Sequence, residues 1–94
     1  MFQSNVNLKY VIFNSVINTV WDYAFYDCAS LEYIDMTAYG ENGAFPTLRG
    51  TNTFRNCGTS TTTGTFEIRV PLGRKAELAA MTNWSAYVDN IVEV

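Results

Sequence analysis

Two cysteines are the residues of this chain whose type and spacing most directly suggest chemistry. Cys28 and Cys57 lie 29 residues apart, and each follows a phenylalanine by three positions, Phe25 and Phe54. If the two segments stack as neighbouring strands or turns, their backbones lie about 4.8 Å apart, within the Cα separation that a disulfide tolerates. The pair could therefore form a disulfide, or it could remain two buried thiols that fill apolar space. Two Cys without a His exclude a structural zinc site.

The acidic and hydroxyl side chains do not form a recognisable catalytic or metal-binding motif. Asp22, Asp27, Glu32 and Asp35 lie in one stretch but lack the D-x-D-x-D-G spacing of a calcium loop, so we expect solvated charges at turns. The chain contains no His, which is the most frequent general base, and no G-x-S-x-G nucleophile motif. The sequence therefore predicts neither an enzyme nor a bound metal or cofactor.

The segment Asn83-Trp84-Ser85 matches the N-x-S glycosylation sequon. It could instead begin a short helix, with Asn83 as the N-cap and Trp84 as a buried apolar plug. We expect the structural role, because Trp84, Tyr87 and Ile91 recur at the spacing of one helix face.

An internal repeat would position these residues. A motif L-x-x-h-x-h, in which h is an apolar residue, occurs twice and then in a weaker third copy. Its matched positions are Leu8, Val11 and Phe13, then Leu31, Ile34 and Met36, then Ile68 and Val70 after Phe66. The first two copies begin 23 residues apart, and a unit of this size cannot bury its apolar side alone. The copies must therefore stack on one another.

Each copy begins with a predicted strand, because β-branched and aromatic residues are frequent there. The three strands are Leu8–Phe13, Leu31–Met36 and Phe66–Val70. Gly-rich and Thr-rich stretches at 39–44 and 58–65 are predicted loops. Residues 72–90 are predicted to form one or two short helices that cover the last strand, since the end of a stack must be shielded from water.

The elements A-F-x-x-C and N-W-S together resemble the BspA-like leucine-rich repeat family, found on bacterial and protozoan surfaces. The resemblance covers roughly residues 8–94. Matches to the family pattern I-G-x-x-A-F-x-x-C-x-x-L are Val20, Ala24, Phe25, Cys28 and Leu31. Trp21 replaces the family's Gly, which Gly50 supplies in the second copy. The resemblance implies a curved solenoid with binding roles, usually adhesion, and no enzyme activity. The family's cysteine is usually a buried thiol, which favours a reduced Cys28 and Cys57.

Together, the repeat and the resemblance predict an α/β solenoid. We expect a leucine-rich repeat-like, right-handed stack of about three short parallel strands with a small C-terminal helical cap. The chain is expected to form a single domain over residues 1–94. Within it, residues 1–7 are a remnant of an earlier unit or a tail, residues 8–71 are the repeats, and residues 72–94 are the cap.

Alternation along the predicted strands separates a buried row from a candidate binding row. We expect six inward residues to be buried above a stacked Phe25 and Phe54: Val11, Phe13, Ile34, Met36, Ile68 and Val70. The outward residues are the candidate binding site: Tyr10, Ile12, Tyr33, Asp35, Glu67 and Arg69. Tyr10 and Tyr33 would form an aromatic pair, which could anchor a partner or only stabilise the sheet.

Charge and hydropathy restrict the partners. Six Lys and Arg residues against nine Asp and Glu residues give a net charge of −3. The basic residues form no patch, which argues against nucleic acid. No apolar run reaches the roughly 18 residues of a membrane span, so we expect no membrane insertion. The first strand has an open edge, so we expect a homo-oligomer or further repeats at the N-terminal end.

These features predict a non-enzymatic protein–protein or protein–glycan interaction module from a bacterial surface or secreted adhesion protein, present as part of a longer chain. The alternative is a structural or assembly component, such as a phage virion protein that packs through its open solenoid end. The first hypothesis depends on the family resemblance, and the second depends on the open edge.

Overall fold

Short parallel strands in two sheets organise the computed structural model, which describes residues 3–94. The elements in chain order are β1 (Tyr10–Ile12), β2 (Thr19–Val20), β3 (Tyr33–Asp35), the 3-10 helix η1 (Thr37–Tyr39), β4 (Thr47–Leu48), β5 (Glu67–Val70), helix α1 (Lys75–Ala79), the 3-10 helix η2 (Trp84–Asn90) and β6 (Ile91–Glu93). The main sheet has the order β1-β3-β5-β6, and β2 pairs with β4 in a separate sheet. The chain is thus a small α/β fold with parallel strands and few helices.

The three predicted strands pair in the predicted register, although each is shorter than its motif. Val11 lies opposite Ile34, which lies opposite Ile68. Five inward residues are buried as expected: Phe13, Ile34, Met36, Ile68 and Val70. The expectation that Val11 is also buried is wrong, because its side chain is only partly covered. The reason is that β1 is an edge strand, which among residues 3–94 has a neighbouring strand on one side only.

A fourth strand of the main sheet was not predicted. The spacing of Ile91 from Tyr87 placed it on a helix face, but Ile91 begins β6 and lies opposite Ile68. Its side chain is fully buried. β6 supplies hydrogen-bond partners to β5, which would otherwise have an open edge. Backbone pairing with β5, and not the helical spacing of its side chain, therefore determines the conformation of Ile91.

A cluster of aromatic rings fills the core beside the main sheet. Phe25 and Phe54 are stacked as predicted, with ring centroids 5.6 Å apart and ring planes 9° from parallel. Phe54 also lies 5.3 Å from Phe66 and 5.9 Å from Trp84. The backbones of the two copies are joined as well, because the Phe25 N–H donates to the carbonyl oxygen of Thr53. Phe54 is therefore the ring at which the repeated segments and the C-terminal segment meet.

Trp84 joins the C-terminal segment to this cluster. The side chain is fully buried, as expected of a plug, and its Nε1–H donates to the carbonyl oxygen of Pro46 at 2.8 Å. Its ring lies against Phe54, and its hydrogen bond is with Pro46. No helix of residues 3–94 is both long enough and apolar enough to cross a membrane.

Asn83 occupies the N-cap position of η2 as predicted, but it does not cap the helix with its side chain. Its side chain makes no capping hydrogen bond, and its backbone is left-handed with a φ of 69°. The Nδ2 group instead donates to the carbonyl oxygen of Leu48 at 2.7 Å. The Asn83 side chain therefore connects the C-terminal segment to β4 by a hydrogen bond to Leu48.

The predicted loop at 39–44 is more ordered than its composition suggests. Tyr39 is buried, and its hydroxyl donates to the carbonyl oxygen of Ile17 at 2.6 Å. Arg74 is also buried, and its guanidinium donates to the carbonyl oxygens of Gly40 and Gly43 and forms an ion pair with Glu77. These hydrogen bonds hold the loop at 39–44 against Ile17 on one side and against Arg74 on the other.

The same backbone turn occurs three times along the chain. Ser4, Asp27 and Asn56 have left-handed φ angles of 58°, 60° and 62°, and each lies one residue before the position that Cys28 and Cys57 occupy in the later copies. The Ser4 N–H donates to the carbonyl oxygen of Tyr26 at 2.6 Å. Ser4 thus has the same backbone conformation as Asp27 and Asn56 and is hydrogen-bonded to the segment that contains Asp27. Met1 and Phe2, and with them any cover that Phe2 gives the first strand, lie outside the described residues.

Candidate functional site

The structure places all six candidate binding residues on one face of the main sheet. One row contains Tyr10, Tyr33 and Glu67, which lie opposite each other in turn. A second row contains Ile12, Asp35 and Arg69, and it continues to Val92 of β6. The side chains range from half-buried to exposed. This arrangement follows from the alternation of side chains along strands that pair in register.

Four of these residues form a continuous stack, which we call the Tyr–Arg column: Tyr10, Tyr33, Arg69 and Glu67. The rings of Tyr10 and Tyr33 are 5.4 Å apart and 12° from parallel. The Arg69 guanidinium lies over the Tyr33 ring, with Cζ 3.8 Å from its centroid, and Arg69 Nε donates to Glu67 Oε1 at 3.0 Å. A cation–π contact and an ion pair thus hold one guanidinium against the half-buried Tyr33, which is stacked on the exposed Tyr10.

The other two candidates contribute less to a polar site. Asp35 accepts hydrogen bonds from the N–H and the hydroxyl of Thr37, at 2.8 and 2.6 Å. Its carboxylate therefore stabilises the turn after β3. Ile12 is an apolar side chain that is 64% exposed at the edge of the sheet, where it suits an apolar contact.

A polar groove lies beside the Tyr–Arg column, and the sequence did not predict it. It has a volume of about 510 Å³ and is lined by six hydroxyl side chains, from Ser30 and the segment 60–65, by the carboxylates of Glu32 and Glu67, and by the cations of Lys9 and Arg69. Composition predicts only a loop for the Thr-rich stretch at 58–65. The signal that could have revealed the groove is the density of hydroxyls immediately before β5.

The Thr-rich stretch is held in place. The Ser60 N–H donates to the carbonyl oxygen of Ala29 at 2.8 Å, and the Thr61 hydroxyl bonds to the carbonyl oxygens of Gly58 and Thr65. Gly58 has a φ of 75°, and a Cβ at this position would collide with the backbone of Thr65. One wall of the groove is therefore a defined loop.

The two cysteines are not in a disulfide. Both are buried, and their segments are neighbours, since the Gly58 N–H donates to the carbonyl oxygen of Cys28. The Cys57 thiol donates to the carbonyl oxygen of Phe25 at 3.0 Å. Burial raises the pKa of Cys57 to about 12 and also raises the pKa of Cys28. The pair therefore consists of protonated thiols in the core, which are poor nucleophiles.

We expect both thiols to be unreactive in the folded protein. With a pKa of about 12, Cys57 is ionised in only about 0.01% of molecules at pH 8. A chromogenic disulfide reagent should titrate two thiols per chain in denaturant and almost none on the same timescale without it. The variant Ser15→Cys, at an exposed turn position, should add one fast thiol. Fewer than two thiols in denaturant would show a disulfide instead.

The acidic residues singled out in the sequence join neighbouring turns. Asp22 Oδ1 accepts the N–H of Asn52 at 3.0 Å, and Asp27 Oδ1 accepts the Nδ2 group of Asn56 at 2.7 Å. Among residues 3–94, no group of three or more His, Cys, Asp or Glu side chains is placed to hold a metal ion. These carboxylates therefore have structural roles at the turns.

A second surface lies at the end of the fold formed by β1 and β2, and we call it the β1 end. In the part of the chain that the structure describes, each of these strands pairs with a neighbour on one side only. Exposed large apolar side chains are concentrated in this part of the chain: Val6, Tyr10, Ile12, Val16, Trp21 and Tyr23. An open strand edge together with exposed apolar side chains favours association with another chain.

Comparisons with known proteins return no match: no protein-family model, no curated protein and no solved structure is similar to this chain.

Proposed function

We propose that this chain is a non-enzymatic interaction module that binds a protein or glycan ligand on the outward face of its main sheet. The observation that carries the proposal is the Tyr–Arg column, because it presents exposed aromatic surface and a pre-positioned guanidinium together. Tyr and Arg are the residue types that most often anchor binding surfaces. We further propose that the module functions at a cell surface or in a secreted protein.

We also propose that the architecture is a leucine-rich repeat-type solenoid. Three features support it: the parallel register of Val11, Ile34 and Ile68, the stacked Phe25 and Phe54, and the turn that recurs three times. A solenoid presents the outward side chains of successive units as one surface. Such a surface suits binding and can be extended by further units.

The binding proposal is tested by substitution within the Tyr–Arg column. The chain should be applied to immobilised panels of purified extracellular proteins and glycans, and Tyr33→Ala and Arg69→Ala should each weaken capture about tenfold or more. Arg49→Ala is the matched control, since Arg49 also lies over an aromatic ring, that of Trp21 at 4.7 Å, outside the main sheet. If both column variants bind like the parent, the sheet face is not the binding surface.

A second candidate function is assembly through the β1 end, as in a virion component. The observation that favours it is the concentration of exposed apolar side chains there, among which Val16 is 79% exposed. Burial of such side chains against another chain would stabilise a complex.

The assembly candidate predicts self-association. Light scattering over a concentration series should show a dimer or higher oligomer, and Val16→Lys should shift it towards monomer. The variant Leu72→Lys is the matched control, because Leu72 is 77% exposed but lies before α1 at the cap. A strict monomer at high micromolar concentration would contradict assembly through this surface.

A further inference from the structure

We propose that the polar groove beside the Tyr–Arg column is a binding site for a neutral oligosaccharide. The proposal rests on the proposed function, that the outward face binds a ligand, and it names the ligand class and the site. Its basis is the chemistry of the groove lining, the balance of its charges and its continuity with the aromatic pair.

The lining of the groove matches the hydrogen-bonding capacity of a sugar. A hydroxyl can both donate and accept a hydrogen bond. Of the six hydroxyls in the lining, those of Thr61 and Thr63 donate to carbonyl oxygens of the loop and can accept from a ligand. Glu32 and Glu67 add strong acceptors, and Lys9 and Arg69 add strong donors. A saccharide presents hydroxyl groups on all sides, each of which is both donor and acceptor. The groove thus offers partners for many hydroxyls at once.

The charges of the groove favour a ligand without net charge. Two carboxylates and two cations line it and cancel, and the segment 60–65 contributes no charged side chain. A sulfated or phosphorylated ligand would meet as much repulsion as attraction, because electrostatic complementarity requires an excess of the opposite sign. A neutral ligand is not repelled by either sign of charge, and it can still form hydrogen bonds with the four charged groups.

The Tyr–Arg column extends the groove with an apolar surface. Arg69 and Glu67 belong to both features. Tyr33 and Tyr10 lie parallel next to them, and Tyr10 is 53% exposed. Tyr10 and Arg69 cover the two faces of the Tyr33 ring, so the free ring face in the column is the outer face of Tyr10. A sugar ring has an apolar C–H face and a polar rim, so it can stack on that face while the rest of the oligosaccharide reaches the groove. Tyrosine combines an apolar ring with a polar group in the same manner.

The groove is less suited to a peptide. Every lining residue is polar or charged, so the groove offers no apolar pocket in which a side chain could be anchored. The lining residues Glu67 and Arg69 belong to β5, which is paired with a strand on each side. A peptide therefore cannot add to the sheet there by backbone hydrogen bonds.

The groove is pre-formed, which reduces the entropic cost of binding. Arg69 is fixed by the Tyr33 ring and by Glu67, and the loop wall is fixed by Gly58 and Thr61. Its volume of about 510 Å³ falls in the range of roughly 300–1,000 Å³ typical of small-ligand sites. The groups that would bind the sugar are therefore ordered before the ligand arrives.

The test is an amide chemical-shift titration of the whole chain with defined probes. The probes are malto-, cello-, manno- and chito-hexaose as neutral sugars and a heparin-derived hexasaccharide as a charged one. At millimolar concentration, at least one neutral sugar should shift the amides of the segment 60–67. Glu67→Gln should weaken that binding about tenfold, and Thr62→Val should also weaken it. Glu41→Gln, an exposed carboxylate in the loop 39–44, is the matched control and should leave it unchanged.

Three results would overturn the saccharide site: no neutral sugar shifts these amides, only the sulfated probe does, or Glu67→Gln and Thr62→Val bind like the parent. The spectra themselves show whether each variant is folded. If no sugar binds while Tyr33→Ala still abolishes capture of a protein, the saccharide inference fails and the proposed function stands. If a sugar binds the groove and Tyr33→Ala and Arg69→Ala change no interaction, the sheet-face function fails and the groove remains a separate site.

Discussion

Replacing Phe54 by Ala should lower the free energy of unfolding by about 3–5 kcal/mol. Phe54 is buried and lies between four aromatic partners: Phe25, Phe66, Trp84 and Tyr87. Truncation removes its apolar burial and leaves a cavity at the point where the repeats meet the cap. Since a domain of this size has only about 5–15 kcal/mol of stability, the variant should melt far below the parent or fail to fold.

The measurement is urea denaturation followed by circular dichroism. Leu72→Ala is the control, because Leu72 is also a large apolar side chain but is 77% exposed, and its truncation should change the free energy of unfolding by less than about 0.5 kcal/mol. Phe54→Leu, which keeps most of the volume, should lie between the two. If Phe54→Ala and Leu72→Ala unfold at the same denaturant concentration, the aromatic cluster is not the core of the fold.

Replacing Trp84 by Ala should have an effect of similar size, about 3–5 kcal/mol, and should also promote aggregation. The indole is fully buried, and its removal exposes the apolar layer around Phe54. Trp84→Phe separates two contributions, since it retains an aromatic ring but leaves the carbonyl oxygen of Pro46 without the Nε1–H donor. The loss of that hydrogen bond should cost about 1–3 kcal/mol.

Fluorescence provides an independent check on Trp84. The only other tryptophan is Trp21, which is 55% exposed, so Trp21→Phe isolates the emission of Trp84. We expect blue-shifted emission that iodide quenches weakly in the folded chain. Red-shifted and fully quenchable emission would mean that residues 72–94 do not pack as the cap described above.

The register of the main sheet was predictable because the strand motifs repeat. Apolar residues at alternate positions require one face to be buried, and Val11, Ile34 and Ile68 occupy the same place in each copy. A shift by one residue would move every apolar side chain to the outer face. The paired copies of A-F-x-x-C likewise predicted the stacked Phe25 and Phe54.

The cap was only partly predictable. Its helix-forming composition and Trp84 indicated an apolar plug, and the structure contains one. The spacing predicts Ile91 on a helix, but it forms a strand. Asn83 lies at the predicted N-cap position, but its side chain bonds to Leu48 and not to the helix. Both errors have one cause: these residues satisfy backbone groups that belong to distant segments, which local propensity does not reveal.

For the candidate site, alternation along the strands was enough to place the outward residues on one face. It did not reveal the contact of Arg69 with Tyr33, because cross-strand geometry sets that contact. Alternation along the strands also did not reveal the polar groove. The groove forms only when the segment 60–65 folds beside Lys9, which precedes β1, and Glu32, which precedes β3. Hydrogen bonds to Ala29 and within the loop fix that position.

The sequence by itself determined which residues repeat and which faces of the strands are apolar, because these properties depend on periodicity and composition. Only the tertiary structure decided how the two predicted loops, at 39–44 and 58–65, pack against the rest of the fold. The buried Arg74 draws the loop at 39–44 against the cap, and Gly58 turns the Thr-rich loop back beside β5. The first position depends on hydrogen bonds between segments more than 30 residues apart in the sequence. The second depends on the left-handed conformation of Gly58 and its close approach to the backbone of Thr65. Such contacts become determinate only when the stacked strands bring the segments together.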